Sequence, residues 1–125
     1  MSWQVYVDKN LAGFTQAAII GAEAGELWAK SATFDVSPTE LQVLAENFNS
    51  FEHFQKNGIT LAGARYIFLS GHDRVLRGRK IKDGLHCMKT EQAILIGIFD
   101  TEHIMPQMAA NQVEKLGDYL ISQGY

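Results

Sequence analysis

Trp3, Tyr6 and Trp28 early in the chain, with Tyr119, Leu120 and Tyr125 at its end, carry the clearest chemical signal. Large rings near a terminus are costly to leave in water, so something covers them. Between Ser2 and Leu11, positions 3, 6 and 7 fall on one helical face, with Ser2 available as N-cap. Val113, Leu116 and Leu120 make a second apolar stripe, and Tyr119 stands beside it. Terminal helices packed side by side would merge these rings into one platform, with indole N–H and phenol O–H groups as donors at its rim. Such a platform suits a polyproline II segment, whose carbonyls are unpaired and whose rings are flat and apolar. The competing reading is ordinary helix-to-sheet packing, because stripes at helical spacing usually face a core.

A second cluster is cationic. Nine of the 11 Lys and Arg residues lie from Lys56 onward, and Arg74, Arg77, Arg79, Lys80 and Lys82 crowd into one short stretch. Strand alternation puts Arg77 and Arg79 on one face, and Arg65 and Lys89 on neighbouring strands would enlarge the patch. Such a surface meets acidic protein or phosphoinositide headgroups, whereas a solvated hairpin is the plainer alternative. The net charge of −3 argues against a general nucleic-acid binder.

Other chemistry finds little support. His53, His72, His86 and His103 are widely spaced, with no metal-ligand pattern, and no cofactor is expected. His86 and Cys87 are consecutive on a predicted strand and point to opposite faces, which disfavours a Cys–His nucleophile. Gly63 and Gly71 read as turn residues, not as a phosphate loop. Cys87 is the only cysteine, so no intramolecular disulfide forms and a reducing, cytoplasmic setting is expected. The longest apolar run, Ala93 to Phe99, is too short to span a membrane, and Gln4, Asp8 and Lys9 interrupt any signal-like stretch. With 125 residues and 46% hydrophobic content, the chain is expected to be one domain and a monomer.

The elements that must position these residues follow from pattern. Gln16 to Gly21 and Leu27 to Ser31 read as a hairpin. Ser37 to Glu40 has a capping-box pattern with Pro38 at the first helical position, followed by Leu41, Leu44, Ala45 and Phe48 at helical spacing. Phe51 and Phe54 extend that helix or start a short second one. Five strands follow: Ile59 to Leu61, Ala64 to Ser70, Val75 to Arg79, Leu85 to Lys89 and Ala93 to Phe99. The gaps, Ala62-Gly63, Gly71 to Asp73, Lys82 to Gly84 and Thr90 to Gln92, are short enough to make antiparallel neighbours. An α+β fold is predicted, a central antiparallel sheet with helices on both faces and Ala93 to Phe99 as its buried central strand.

Met1 to Gln4 with Tyr6 to Asp8, and Val113 to Ile121, resemble the two ends of profilins. Matches in profilin order continue through Gln16 to Gly21, Trp28-Ala29, Ser31, Asn57 to Ile59, Leu61 to Gly63, Asp73-Arg74, Gly78 to Lys80 and Lys89-Thr90. The resemblance implies terminal helices together on one sheet face and the middle helix on the other. It implies a non-enzymatic, cytoskeleton-associated protein that binds monomeric actin and proline-rich proteins such as formins, regulates actin nucleotide exchange and filament assembly, and responds to phosphoinositides. By that likeness, the proline-rich ligand falls to Trp3, Tyr6, Trp28, Tyr119, Leu120 and Tyr125. Actin falls to Arg65, Phe68, Arg79, Lys80, Lys89, Asn111 and Lys115, and phosphoinositide to Arg74, Arg77, Arg79, Lys80 and Lys82. Ser70 stands where many profilins have Arg, Arg77 where several have an aromatic and Gln107 where Gly is common. A proline-motif scaffold with weak or lost actin binding is therefore the alternative.

Overall fold

The computed structural model describes residues 2–125; Met1, the first residue of the N-terminal motif, lies outside them. The opening segment forms a short helix, α1 (Trp3–Val5), that widens at once into a π-helical turn over Tyr6–Asn10. Ser2 occupies the N-cap position but its side chain makes no capping hydrogen bond. Strands β1 (Gln16–Gly21) and β2 (Leu27–Lys30) make the expected hairpin. α2 (Pro38–Glu46) and α3 (Glu52–Asn57) follow, so Phe54 belongs to a separate short helix. β3 (Ile59–Leu61), β4 (Ala64–His72), β5 (Val75–Lys80), β6 (Asp83–Lys89) and β7 (Ala93–Asp100) precede α4 (Pro106–Ser122).

The seven strands form one antiparallel sheet in the order β2-β1-β7-β6-β5-β4-β3. β3 to β7 are a meander, but β1 pairs along all six of its residues with β7, from Gln16 opposite Ile98 to Gly21 opposite Ala93. That long-range pairing sets the first and last helices over neighbouring strands. Ala93 to Phe99 is buried throughout, as a central strand covered on both faces must be.

The sheet divides two apolar layers. On one side Leu41, Leu44, Phe48 and Phe54 of the middle helical region pack on Ile20, Leu76, Leu85, Cys87, Ile94 and Ile96. On the other, Val7, Leu11, Val113, Leu116 and Leu120 of the terminal segments pack on Ala17, Ile19, Met88, Leu95 and Phe99. Burying both helical stripes on one sheet supplies the main driving force for the arrangement.

Two turns differ from the sequence expectation. β4 continues through Gly71 and His72, so the chain turns at Asp73, which is left-handed at φ 52°. β6 starts at Asp83, so the turn there centres on Ile81 at φ 55°. The glycines taken as turn markers have another purpose: a Cβ on Gly71 would lie 2.4 Å from the Phe51 ring, and one on Gly84 2.2 Å from the Phe99 ring. Both make room for an aromatic against the sheet.

The capping box forms as predicted and then extends. The Ser37 N–H donates to Glu40 Oε1 at 2.9 Å and the Glu40 N–H to Ser37 Oγ at 3.1 Å. The same carboxylate also accepts from the N–H groups of Ala62 and Gly63, both at 2.9 Å, tying α2 to the β3–β4 turn. Partial burial raises the Glu40 pKa, but hydrogen bonds from Ser37, Gly63 and Ala62 together outweigh it and hold the group below its ordinary value. Glu40→Ala should therefore cost about 1–2 kcal/mol in urea unfolding, with both the cap and the turn released.

Candidate functional site

The terminal segments meet over β1, β2, β6 and β7, and their rings form a continuous ledge. Trp28 of β2 lies 4.7 Å from Trp3, centroid to centroid, and Tyr125 meets Trp3 edge-on at 5.0 Å. Trp3 to Tyr6 is 5.8 Å and Tyr6 to Tyr119 is 6.2 Å. Trp3, Tyr6 and Trp28 are half-buried, while Tyr119 and Tyr125 are 47% and 41% exposed. The rings are thus packed from below and open above, as an apolar ligand needs. Leu120 departs from its expected place: it is 1% exposed and sits under the ledge as part of its floor. As a residue on the apolar stripe of α4, it must face the sheet.

Each end of the ledge is anchored. The Gln4 side-chain amide donates to the Lys30 carbonyl at 2.9 Å, pinning α1 to β2. At the other end the Tyr125 N–H donates to the Leu120 carbonyl at 2.9 Å and the Gly124 N–H to that of Ile121 at 3.0 Å, with Gly124 at φ 92°. This is a Schellman-type stop, and it requires the left-handed conformation that glycine supplies. Thr90 Oγ1 then donates to the Tyr125 carbonyl at 2.8 Å and Gln92 Nε2 to that of Gly124 at 2.9 Å. Thr90, Gln92 and Gly124 therefore aim the Tyr125 ring. The sequence signal for them was a Gly just beyond the last helical residue.

The Tyr6 hydroxyl has its pKa raised above the ordinary tyrosine value, by burial first and then by hydrogen bonding and charge at Tyr119 and by Tyr125. It stays protonated at neutral pH and able to donate to a ligand carbonyl.

α4 separates this ledge from a second surface. On its other flank an open cleft of about 800 Å³ runs between β5, β6 and the start of the helix. His86, only 3% exposed, faces Glu114 of α4 there at 3.0 Å. Burial lowers the His86 pKa and Arg77 adds to this, against the opposing pull of Glu114. The imidazole is therefore neutral at pH 7, and its Nε2–H donates to the carboxylate. Unfolding lets His86 take a proton at its ordinary value of 6.5, so its contribution is present above that pH and is lost as pH falls. Denaturant midpoints should drop between pH 7.5 and 5.5, and His86→Gln should flatten that drop. Cys87 points into the opposite layer, fully enclosed, where burial pushes its thiol pKa up. A paired Cys–His nucleophile is thus excluded by geometry.

Beyond the cleft, Arg65, Arg77 and Arg79 share one exposed face, with Ile67 opposite Arg79 and Ser70 opposite Arg77. Ile67 is 68% exposed and Leu69 53%, an apolar pair that sequence reading missed. The run from Tyr66 to Leu69 looks apolar on both sides. For Ile67 the signal was across the strand pair, where it faces Arg79; Leu69 sits at the β-bulge between Phe68 and Ser70, with no residue of β5 opposite it.

The remaining cationic residues scatter. Arg74 pairs with Glu91 at 2.8 Å and Lys82 with Glu102 at 3.1 Å, so each has its charge partly neutralised. Lys80 is exposed at the end of β5. Lys89 turns to the other sheet face, where its Nζ donates to Asn49 Oδ1 at 2.7 Å. Phe68 also lies on that far face, packed against Phe51 at 6.1 Å. Strand alternation accounts for both, since Phe68 neighbours Ile67 and Lys89 follows Cys87 by two residues. Asn111 is exposed on α4 and accepts from Gln107 at 3.0 Å. Lys115 faces a groove with Tyr6 and Tyr119, on the ledge flank of α4 and away from the arginine face.

Comparison with known proteins decides the family. The family model for profilin matches residues 1–125. A Drosophila melanogaster profilin is 48% identical over 128 residues, covering 100% of both chains. The chain belongs to the profilin family. The crystal structure of Acanthamoeba castellanii profilin II is similar at TM-score 0.92 and 48% identity, over 99% of this chain and 100% of that one. Mouse profilin IIa, solved in complex with a double repeat from the FH1 domain of mDia1, shares the fold at TM-score 0.80 and 18% identity, over 100% of each chain.

Against the profilin pattern, the departure at Gln107 leaves the helix start regular. Pro106 and Gln107 open α4, and Gln107 is not among the residues at positive φ, so no glycine is required there. Ser70 sits opposite Arg77, which supplies a cation beside the position where Ser70 has none.

Proposed function

We propose that the protein binds monomeric actin and polyproline II segments on the two flanks of α4, and so couples proline-rich partners to actin filament assembly. The observation that carries this reading is the ring ledge: five aromatics from both chain ends and β2, packed beneath and open above. A ledge sealed by other elements would have been core and nothing more. The arginine face with Ile67 and Leu69, bordered by the His86–Glu114 cleft, is the actin surface. It offers an apolar centre and cationic rim, the composition that suits a specific protein interface.

Arg65, Arg77 and Arg79 anchor that surface, with Lys80 and Asn111 at its margins. Phe68 and Lys89 lie on the far sheet face and are left out of it. Anionic phosphoinositides compete through Arg77, Arg79 and Lys80, with Arg74 and Lys82 weaker because each already pairs with a glutamate, and raised salt weakens that competition. The chain acts as one domain, a monomer and a binding protein without a catalytic step, in the cytoplasm. Among the described residues, no helix is long and apolar enough to cross a membrane.

A bead experiment tests both surfaces together. Oligoproline beads should retain the protein and, through it, monomeric actin. Retention without actin at moderate salt would instead favour a proline-motif scaffold that has lost useful actin affinity.

A further inference from the structure

The ring ledge does not stop at Tyr119. Beyond Tyr6 and Tyr119 the surface falls into a groove of about 510 Å³ between the π-helical turn and α4, and those two rings line it. Its lining includes Lys9 and Lys115 and the amide-bearing Asn10 and Gln112. Among the described residues neither lysine is in an ion pair, in contrast to Lys56, Arg74 and Lys82. None of the nearby acids lines the groove. Asp8 accepts from Gln4 at 2.9 Å, Glu114 faces His86 across α4, and Asp118 is exposed outside the groove lining. Tyr6, Lys9 and Asn10 all belong to the π-helical turn, and all three line the groove.

We infer that this groove is a subsite for acidic residues immediately flanking a proline-rich segment, with Lys9 and Lys115 as its specificity determinants. The inference rests on the polyproline reading of the ledge. A proline helix lying across Trp3 and Tyr6 leads its next residues into the groove. There a carboxylate meets two unpaired ammonium groups and two amide donors, while a lysine or arginine flank is repelled. The cations select among proline-rich ligands by charge, which the rings alone cannot do because every proline helix presents them the same flat faces.

The test compares three peptides by tryptophan fluorescence: plain oligoproline, the same peptide with two glutamates added at its N-terminus, and one with them at its C-terminus. In low salt at least one acidic peptide should bind about three- to tenfold tighter than the plain one. The gain should shrink toward nothing in high salt. In Lys9→Gln/Lys115→Gln the ratio of acidic to plain affinity should fall close to one. A ratio near one in the unmodified protein, or one unchanged in the double variant, would overturn the inference while the ledge stands on its plain oligoproline binding. Loss of retention on phosphoinositide vesicles in the double variant, with no peptide preference in the unmodified protein, would overturn it in favour of a lipid contact. Failure of all three peptides to bind would sink the ledge reading and the subsite with it.

Discussion

Trp3→Ala should lose oligoproline binding by more than about 2 kcal/mol, the scale of a central aromatic anchor. The ring holds three others, Trp28 at 4.7 Å, Tyr125 at 5.0 Å and Tyr6 at 5.8 Å, so its removal breaks the ledge in the middle instead of trimming an edge. Because Trp3 is only half-buried, the variant should still fold, at a stability loss of about 1–2 kcal/mol. Titration calorimetry with oligoproline checks the first number and urea unfolding the second. An affinity unchanged in the folded variant would move the ligand off the ledge.

The second large effect is expected at the arginine face. Arg77→Glu/Arg79→Glu reverses two exposed charges beside Ile67 and should weaken actin-monomer binding by about 2–4 kcal/mol. Oligoproline affinity should stay within about twofold, because α4 stands between that face and the ledge. Lys115→Glu is the poorer probe of separate surfaces, since Lys115 shares its groove with Tyr6 and Tyr119. Parallel loss of both ligands in the arginine variant would argue for one merged site.

Much of this was legible from residue order, and the exceptions have physical reasons. Local rules held well: the capping box at Ser37 and Glu40 formed, and Ala93 to Phe99 became the central strand. What escaped was non-local. Nothing in the spacing of Gln16 to Gly21 announces that β1 pairs with β7, yet that pairing brings the terminal helices together. Gly71 and Gly84 read as turns because glycine often marks one, while here they clear space for Phe51 and Phe99. The turns themselves use left-handed backbone at Asp73, the last residue of its predicted gap, and at Ile81, which composition would not choose.

The candidate site divides the same way. The ring set was visible because aromatics at helical spacing near both ends are conspicuous, but the profilin likeness was needed to favour a ledge over a sealed core. Leu120 entered the ligand set through the likeness, while its place on the apolar stripe with Val113 and Leu116 puts it in the core, a quarter-turn or more from Tyr119. Phe68 and Lys89 came with the likeness, and strand alternation sets both on the sheet face opposite Ile67 and Arg79. Ile67 and Leu69 were hidden inside an apolar run: the register against Arg79 shows Ile67 to be surface, and Leu69 is exposed at a β-bulge that residue order does not announce.

The central claim is that both chain ends build an open ring surface for polyproline. Trp3 and Trp28 are the only tryptophans and both lie in it, so tryptophan emission, excited selectively over tyrosine, reports on that surface. Titration with oligoproline should change the emission saturably, with a single midpoint that Trp3→Ala removes. Emission that stays constant up to millimolar oligoproline, with the protein folded, would contradict the account.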